Sequence, residues 1–137
     1  MGLLGSFFGC SEGNSDSQAP RSPEPHFKLF FADYSENKIV ESKDARIATK
    51  SEILRSMNSV LHMPRNFIGV IDKDETTLQF MVNDDKTIHV DVPAPTRTGS
   101  FVKTAELREC LGLVSNLGST IDVARIDGLV FKSWNAE

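Results

Sequence analysis

Residues 66–93 carry three apolar segments separated by two short polar turns, a pattern that constrains the fold more than any other feature of the chain. Phe67-Ile68-Gly69-Val70-Ile71 is a short apolar run bounded by Pro64 and by Asp72-Lys73-Asp74-Glu75, as expected of a strand buried on both faces. Residues 77–82 alternate, with Leu78, Phe80 and Val82 on one side and Thr77, Gln79 and Met81 on the other, the period of a half-buried strand. Asn83-Asp84-Asp85-Lys86 reverses the chain, because Asn and Asp tolerate left-handed backbone and bond their own main chain. Ile88, Val90 and Val92 then alternate against Thr87, His89 and Asp91. One face of this meander is apolar and needs a cover.

Two helical stretches supply it. Thr49-Lys50-Ser51-Glu52 is a capping box, after which Ile53, Met57, Val60 and Leu61 recur at helical spacing until Pro64. A second helix is expected from Lys103 or Thr104, with Leu107, Cys110, Leu111, Val114 and Leu117 as its stripe and Gly118 as its C-terminal cap. Phe27, Leu29 and Phe31 alternate with Lys28 and Phe30 in a strand that opens the folded part at His26. After the turn Asp33-Tyr34-Ser35-Glu36-Asn37, residues 38–42 read as its weaker hairpin partner, and residues 43–48 are ambiguous. Residues 93–100, stiffened by Pro93 and Pro95, read as the longest irregular stretch. Asp127-Gly128 signals a final hairpin between residues 121–126 and 129–134; the rival reading makes 119–126 a loop or short helix before one last strand. The expected fold is α+β, an antiparallel sheet with a central meander covered by two helices, in the order β-β-α-β-β-β-α-β(-β).

A length of 137 residues suits one domain, here residues 26–137, preceded by a tail at residues 1–25. The tail's polar part, residues 11–25, has too few apolar side chains to offset the entropy of ordering and is expected to be a disordered linker. Its apolar start, with Leu3, Leu4, Phe7 and Phe8, is read first as disordered, next as docking on a protein surface or membrane contact through residues 1–10, and last as an acylation site, for which Gly2 and Cys10 fit a minimal pattern. A net charge of −4 with no basic stripe argues against nucleic acid as a partner. Cys10 and Cys110 lack metal-binding spacing and are expected to stay reduced, which fits a cytoplasmic chain, membrane-peripheral if the apolar start engages a bilayer.

Chemistry-bearing residues are few. His89 and Asp91 share a strand face and could act as a base and its orienting group, but no nucleophile can be placed opposite them, so a surface pair is the preferred reading. Asp72 and Asp74 lie in one turn and Asp84 and Asp85 in the other, at opposite ends of the middle strand, which separates them as metal ligands and leaves them as solvated acidic contacts. Arg97 and Ser100, ahead of the second helix, could hold an anion, but a polar connection with a helix cap is the preferred reading. Trp134 is the lone tryptophan and a candidate interface anchor. No catalytic residue, metal or cofactor is indicated.

Taken in order, Phe67-Ile68-Gly69-Val70-Ile71-Asp72, Thr77-Leu78-Gln79-Phe80, Ile88-His89-Val90-Asp91, a helix and Leu129-Val130-Phe131-Lys132-Ser133-Trp134 resemble the small α+β immunity proteins of bacterial toxin systems. The resemblance spans residues 66–134, lies in the order of elements, and carries over no functional residue. It implies a protein partner and direct blocking of a toxin domain; separately, the charge of the acidic turns, Asp84 and Asp85 above all, makes them the expected contact surface.

Overall fold

The computed structural model describes residues 26–135. The apolar start, with Gly2 and Cys10, lies outside the described residues. The fold is α+β: eight antiparallel strands form one sheet, with two helices on a single face. The strands are β1 (His26–Asp33), β2 (Lys38–Val40), β3 (Arg46–Thr49), β4 (Phe67–Ile71), β5 (Thr77–Val82), β6 (Ile88–Ala94), β7 (Gly99–Ala105) and β8 (Val130–Ser133). Helix α1 (Lys50–Val60) follows β3 and helix α2 (Leu107–Ser115) follows β7. The order across the sheet is β2-β1-β4-β5-β6-β7-β8, and β3 shares the outer edge of β1 with β2. Because β3 and β4 both run antiparallel to β1 on its two sides, α1 carries the chain across β1 between two parallel strands.

The expected meander forms. Residues paired across strands share a face; Ile68, Val70, Leu78, Phe80, Val82, Ile88, Val90 and Val92 point together under the helices and are buried. Ile53 and Met57 of α1 and Cys110 and Val114 of α2 close this core. The capping box forms as read: Thr49 N–H donates to Glu52 Oε1 at 2.7 Å and Glu52 N–H to Thr49 Oγ1 at 3.2 Å.

Three expectations are corrected. Residues 93–100 are not one irregular stretch: Pro93 and Ala94 belong to β6, residues 95–97 make a tight turn, and β7 returns along β6. Pairing of β6 with β5 ends at Asp91, so Pro93 lies where only β7 flanks the strand, a position that tolerates proline. Lys103 and Thr104 are therefore in β7, and the second helix starts at Leu107. Residues 121–126 are not a strand. They form a loop with one 3-10 turn, Val123–Arg125, whose Asp122 side chain accepts from Ala124 N–H, while β8 takes the free edge of β7. Gly118 is not the cap of α2. That helix ends at Ser115 and is followed by Asn116 as its cap in ordinary backbone, and Lys50 Nζ of α1 reaches the carbonyls of Ser115 and Leu117 at 3.1 and 2.6 Å.

Buried polar groups tie the elements at both ends of the sheet. Fully buried Asn66 donates through Nδ2 to Asp33 Oδ1 at 3.0 Å and to the Val60 carbonyl at 2.9 Å, and accepts from Tyr34 N–H at 3.0 Å. At the other end, Asp72 accepts from the amides of Asp74 and Thr76 through Oδ1 and from Ile121 N–H through Oδ2 at 2.7 Å, pinning the 118–127 loop to the meander.

Candidate functional site

The pairing that sends one set of side chains under the helices sends the alternate set to the opposite face. That set includes Phe30 of β1, Phe67 and Gly69 of β4, Gln79 and Met81 of β5, His89 and Asp91 of β6, Ser100 and Val102 of β7, and Val130 and Lys132 of β8. Both helices and the 118–127 loop contribute to the core on the other side, so among the described residues nothing covers this face.

Its two halves differ. Near β1 and β4 the Phe30 ring lies over Gly69 and meets Phe67 edge to face at 6.4 Å between centroids, while on the flanking β2 and β3 Ile39 and Ile47 of the same face stay exposed. A Cβ on Gly69 would stand 2.1 Å from Phe30 Cζ, so the missing side chain is what seats the ring. From β5 to β8 the face is open. Met81 is 40% exposed, Val130 62% and Trp134 54%.

Trp134 follows the last residue of β8 and is held at both ends of its residue. Its backbone N–H donates to the Thr98 carbonyl at 2.8 Å, and its indole N–H donates to Ser100 Oγ at 3.0 Å. It helps line a recess of roughly 380 Å³ with His89, Asp91, Ser100, Val102 and Lys132. His89 Nε2 lies 3.5 Å from Asp91 Oδ2. The other carboxylate oxygen, Asp91 Oδ1, is buried, and among the described residues no donor reaches it.

The sequence reading is met only in part. Ser100 and Trp134 come together, but Arg97 is on the other side of the sheet, its guanidinium over the rings of Phe131 and Phe101 at 4.3 and 5.2 Å. With α2 beginning seven residues after Ser100, Arg97 and Ser100 neither form an anion site nor cap that helix. Asp72 is buried and committed to the loop, so it is no part of an acidic surface. Asp74, Asp84 and Asp85 are exposed, the first at the opposite end of β5 from the other two. Hydrogen bonds from the Thr87 hydroxyl and amide hold the Asp85 carboxyl below its ordinary range. Among the described residues no cluster has the makings of a metal site.

The His89–Asp91 pair has the composition of a base and its orienter, but the nearby hydroxyl of Ser100 is engaged by Trp134 and no hydrogen bond links it to His89. A nucleophilic mechanism needs that link. A larger recess, about 590 Å³, lies between α2 and the 118–127 loop. On its wall Lys103 Nζ bonds Glu109 Oε2 at 2.8 Å and the Asp127 carbonyl at 2.7 Å, which clamps the loop.

Signals for the open face were present in the alternation of residues 77–82 and 87–92, which placed Met81, His89 and Asp91 together. Val102 was missed because β7 was read as loop and helix. Comparison with protein-family models, with characterised proteins and with solved structures finds no match. No described helix is long and apolar enough to cross a membrane.

Proposed function

We propose that this chain is a non-enzymatic protein-binding module and that its contact surface is the open sheet face between β5 and β8. The observation that carries the reading is the exposure of Met81, Val130 and Trp134 on one face of one sheet, beside a recess, with no element of the described residues over them. Apolar surface gathered in this way gains from leaving water, and tryptophan is among the residues enriched as anchors in such contacts. The resemblance in element order to bacterial immunity proteins gives the sharper version, in which the partner is a toxin domain blocked by direct binding. The net charge of −4 would then speed encounter with a basic partner, while the open face holds it.

The test is capture by the tagged full chain, at low and high salt, in the wild type and in Val130→Asp. One stoichiometric partner that resists high salt and is lost from Val130→Asp supports the reading. Equal retention of that partner by both proteins removes the open face as the contact surface. Recovery only with membrane fractions would favour a peripheral anchoring role for residues 1–10.

A further inference from the structure

The open face is not uniformly apolar, and its polar centre restricts what can cover it. Asp91 lines the recess from β6; one of its oxygens is buried and no donor reaches it among the described residues, and the other is only at ion-pair distance from His89. An apolar partner laid over this face would strand the carboxylate away from water, a severe penalty unless the partner brings a donor or a positive charge. The indole N–H of Trp134 is already given to Ser100 Oγ. What Trp134 therefore offers a newcomer is ring surface, which favours a flat cation.

We propose that the partner inserts an arginine side chain into the recess between β6 and β8, where its guanidinium donates to Asp91 and lies against Trp134. This rests on the open face being the contact surface. A guanidinium N–H can reach the Asp91 oxygen that is not buried, and the weakly hydrated faces of the group suit an indole better than an ammonium does. A recess of roughly 380 Å³ takes one long side chain and excludes a folded element, so the flanking residues of the partner rest on Met81, Val102 and Val130. Lys132 on the rim is exposed and makes no ion pair with Asp91, so it opposes the guanidinium only through water.

The probes are the tripeptide acetyl-Leu-Arg-Leu-amide and its citrulline counterpart, which keeps the shape and loses the charge. Each is titrated into the isotopically labelled full chain of the wild type, Asp91→Asn and Val130→Asp, with the Trp134 indole resonance and the β6–β8 amides as readout. The arginine peptide is expected to shift these resonances in the wild type, with the citrulline peptide at least about tenfold weaker, as loss of a charge-assisted bond predicts. Asp91→Asn is expected to erase the preference while the rest of the spectrum is unchanged. Equal binding of the two peptides, or a preference that survives Asp91→Asn, overturns the arginine proposal. If that equal binding is lost in Val130→Asp, the open-face reading stands without it. Failure of the arginine peptide to move β6–β8 also overturns the proposal, and the capture experiment then decides the reading separately.

Discussion

Replacing Asn66 with alanine should be among the most damaging single changes to the fold outside the apolar core. Three hydrogen bonds are lost, to Asp33 Oδ1, the Val60 carbonyl and Tyr34 N–H. Not every partner is stranded. Asp33 keeps donors from Ser35 and Glu36, and the Val60 carbonyl keeps His62 N–H at 2.9 Å. The loss is therefore about 1 kcal/mol for each bond, with roughly 1 kcal/mol more for the void where a fully buried amide stood, about 3–4 kcal/mol in all. Against a usual total of about 5–15 kcal/mol this is a large fraction, and it should lower the melting temperature by about 12 °C or more. Urea unfolding followed by circular dichroism and by Trp134 fluorescence measures it, coincident transitions confirming a two-state analysis. The control is Asn58→Ala on the exposed side of α1, whose amide reaches only the Leu54 carbonyl at 3.3 Å and whose loss should cost within about 0.5 kcal/mol. A loss below about 1 kcal/mol for Asn66→Ala would refute the reasoning.

Gly69→Ala should cost about 1–3 kcal/mol by driving the Phe30 ring off β4, and should cost less in a Phe30→Ala background; equal costs in the two backgrounds would contradict the close approach. Hydrogen bonding, first from the Ser35 hydroxyl, holds the Asp33 carboxyl below its ordinary range, so its contribution is present above the unfolded pKa of 3.8 and is lost as pH falls below it. Unfolding midpoints measured from pH 7 to pH 2 should fall through the acid limb, and Asp33→Asn should flatten that fall while lowering stability at neutral pH. Burial in the core, followed by the charge of Glu109, pushes the Cys110 thiol up to about 12. A thiol-specific reagent at pH 8 should therefore leave Cys110 unmodified in the folded protein and label it in urea, and rapid native labelling would contradict its placement.

The parts of the fold legible in the sequence are those where local pattern and tertiary use agree. The alternation from Thr77 to Val92 survives because both strands are central, with one face in the core, so every second residue must be apolar. The Thr49–Glu52 box is self-contained and needs no distant partner. Strand β7 was hidden because Lys103 occupies an inward position and breaks the apolar alternation of Phe101 and Ala105. Its charge is tolerated only through Glu109 and the Asp127 carbonyl, residues that sequence could not bring to it. Asp127-Gly128 is a genuine turn, with Gly128 at φ +88°, but residues before it cannot pair with β8 while Asp72 holds Ile121 and β7 takes the edge.

The site was legible to a smaller degree. His89, Asp91 and Trp134 were singled out, but only the register of β6, β7 and β8 shows that they line one recess. The acidic turns drew attention because charge is visible in a sequence and accessibility is not. Asp72 looks like its neighbours Asp74 and Glu75 until its three amide donors are seen. Arg97 looked free because its partners, two aromatic rings, lie four and 34 residues further along on two different strands.

The most direct measurement is the dissociation constant of the purified partner for the full-length wild type, Trp134→Ala and the Asp84→Lys, Asp85→Lys double variant, by calorimetry at 150 mM salt. Loss of the Trp134 anchor should weaken binding by about thirtyfold or more, equivalent to roughly 2 kcal/mol. Charge reversal in an exposed turn should change it by less than about fivefold, mostly through the association rate. Unchanged affinity for Trp134→Ala beside a collapse for the double variant would place the interface on the β5–β6 turn and contradict the account.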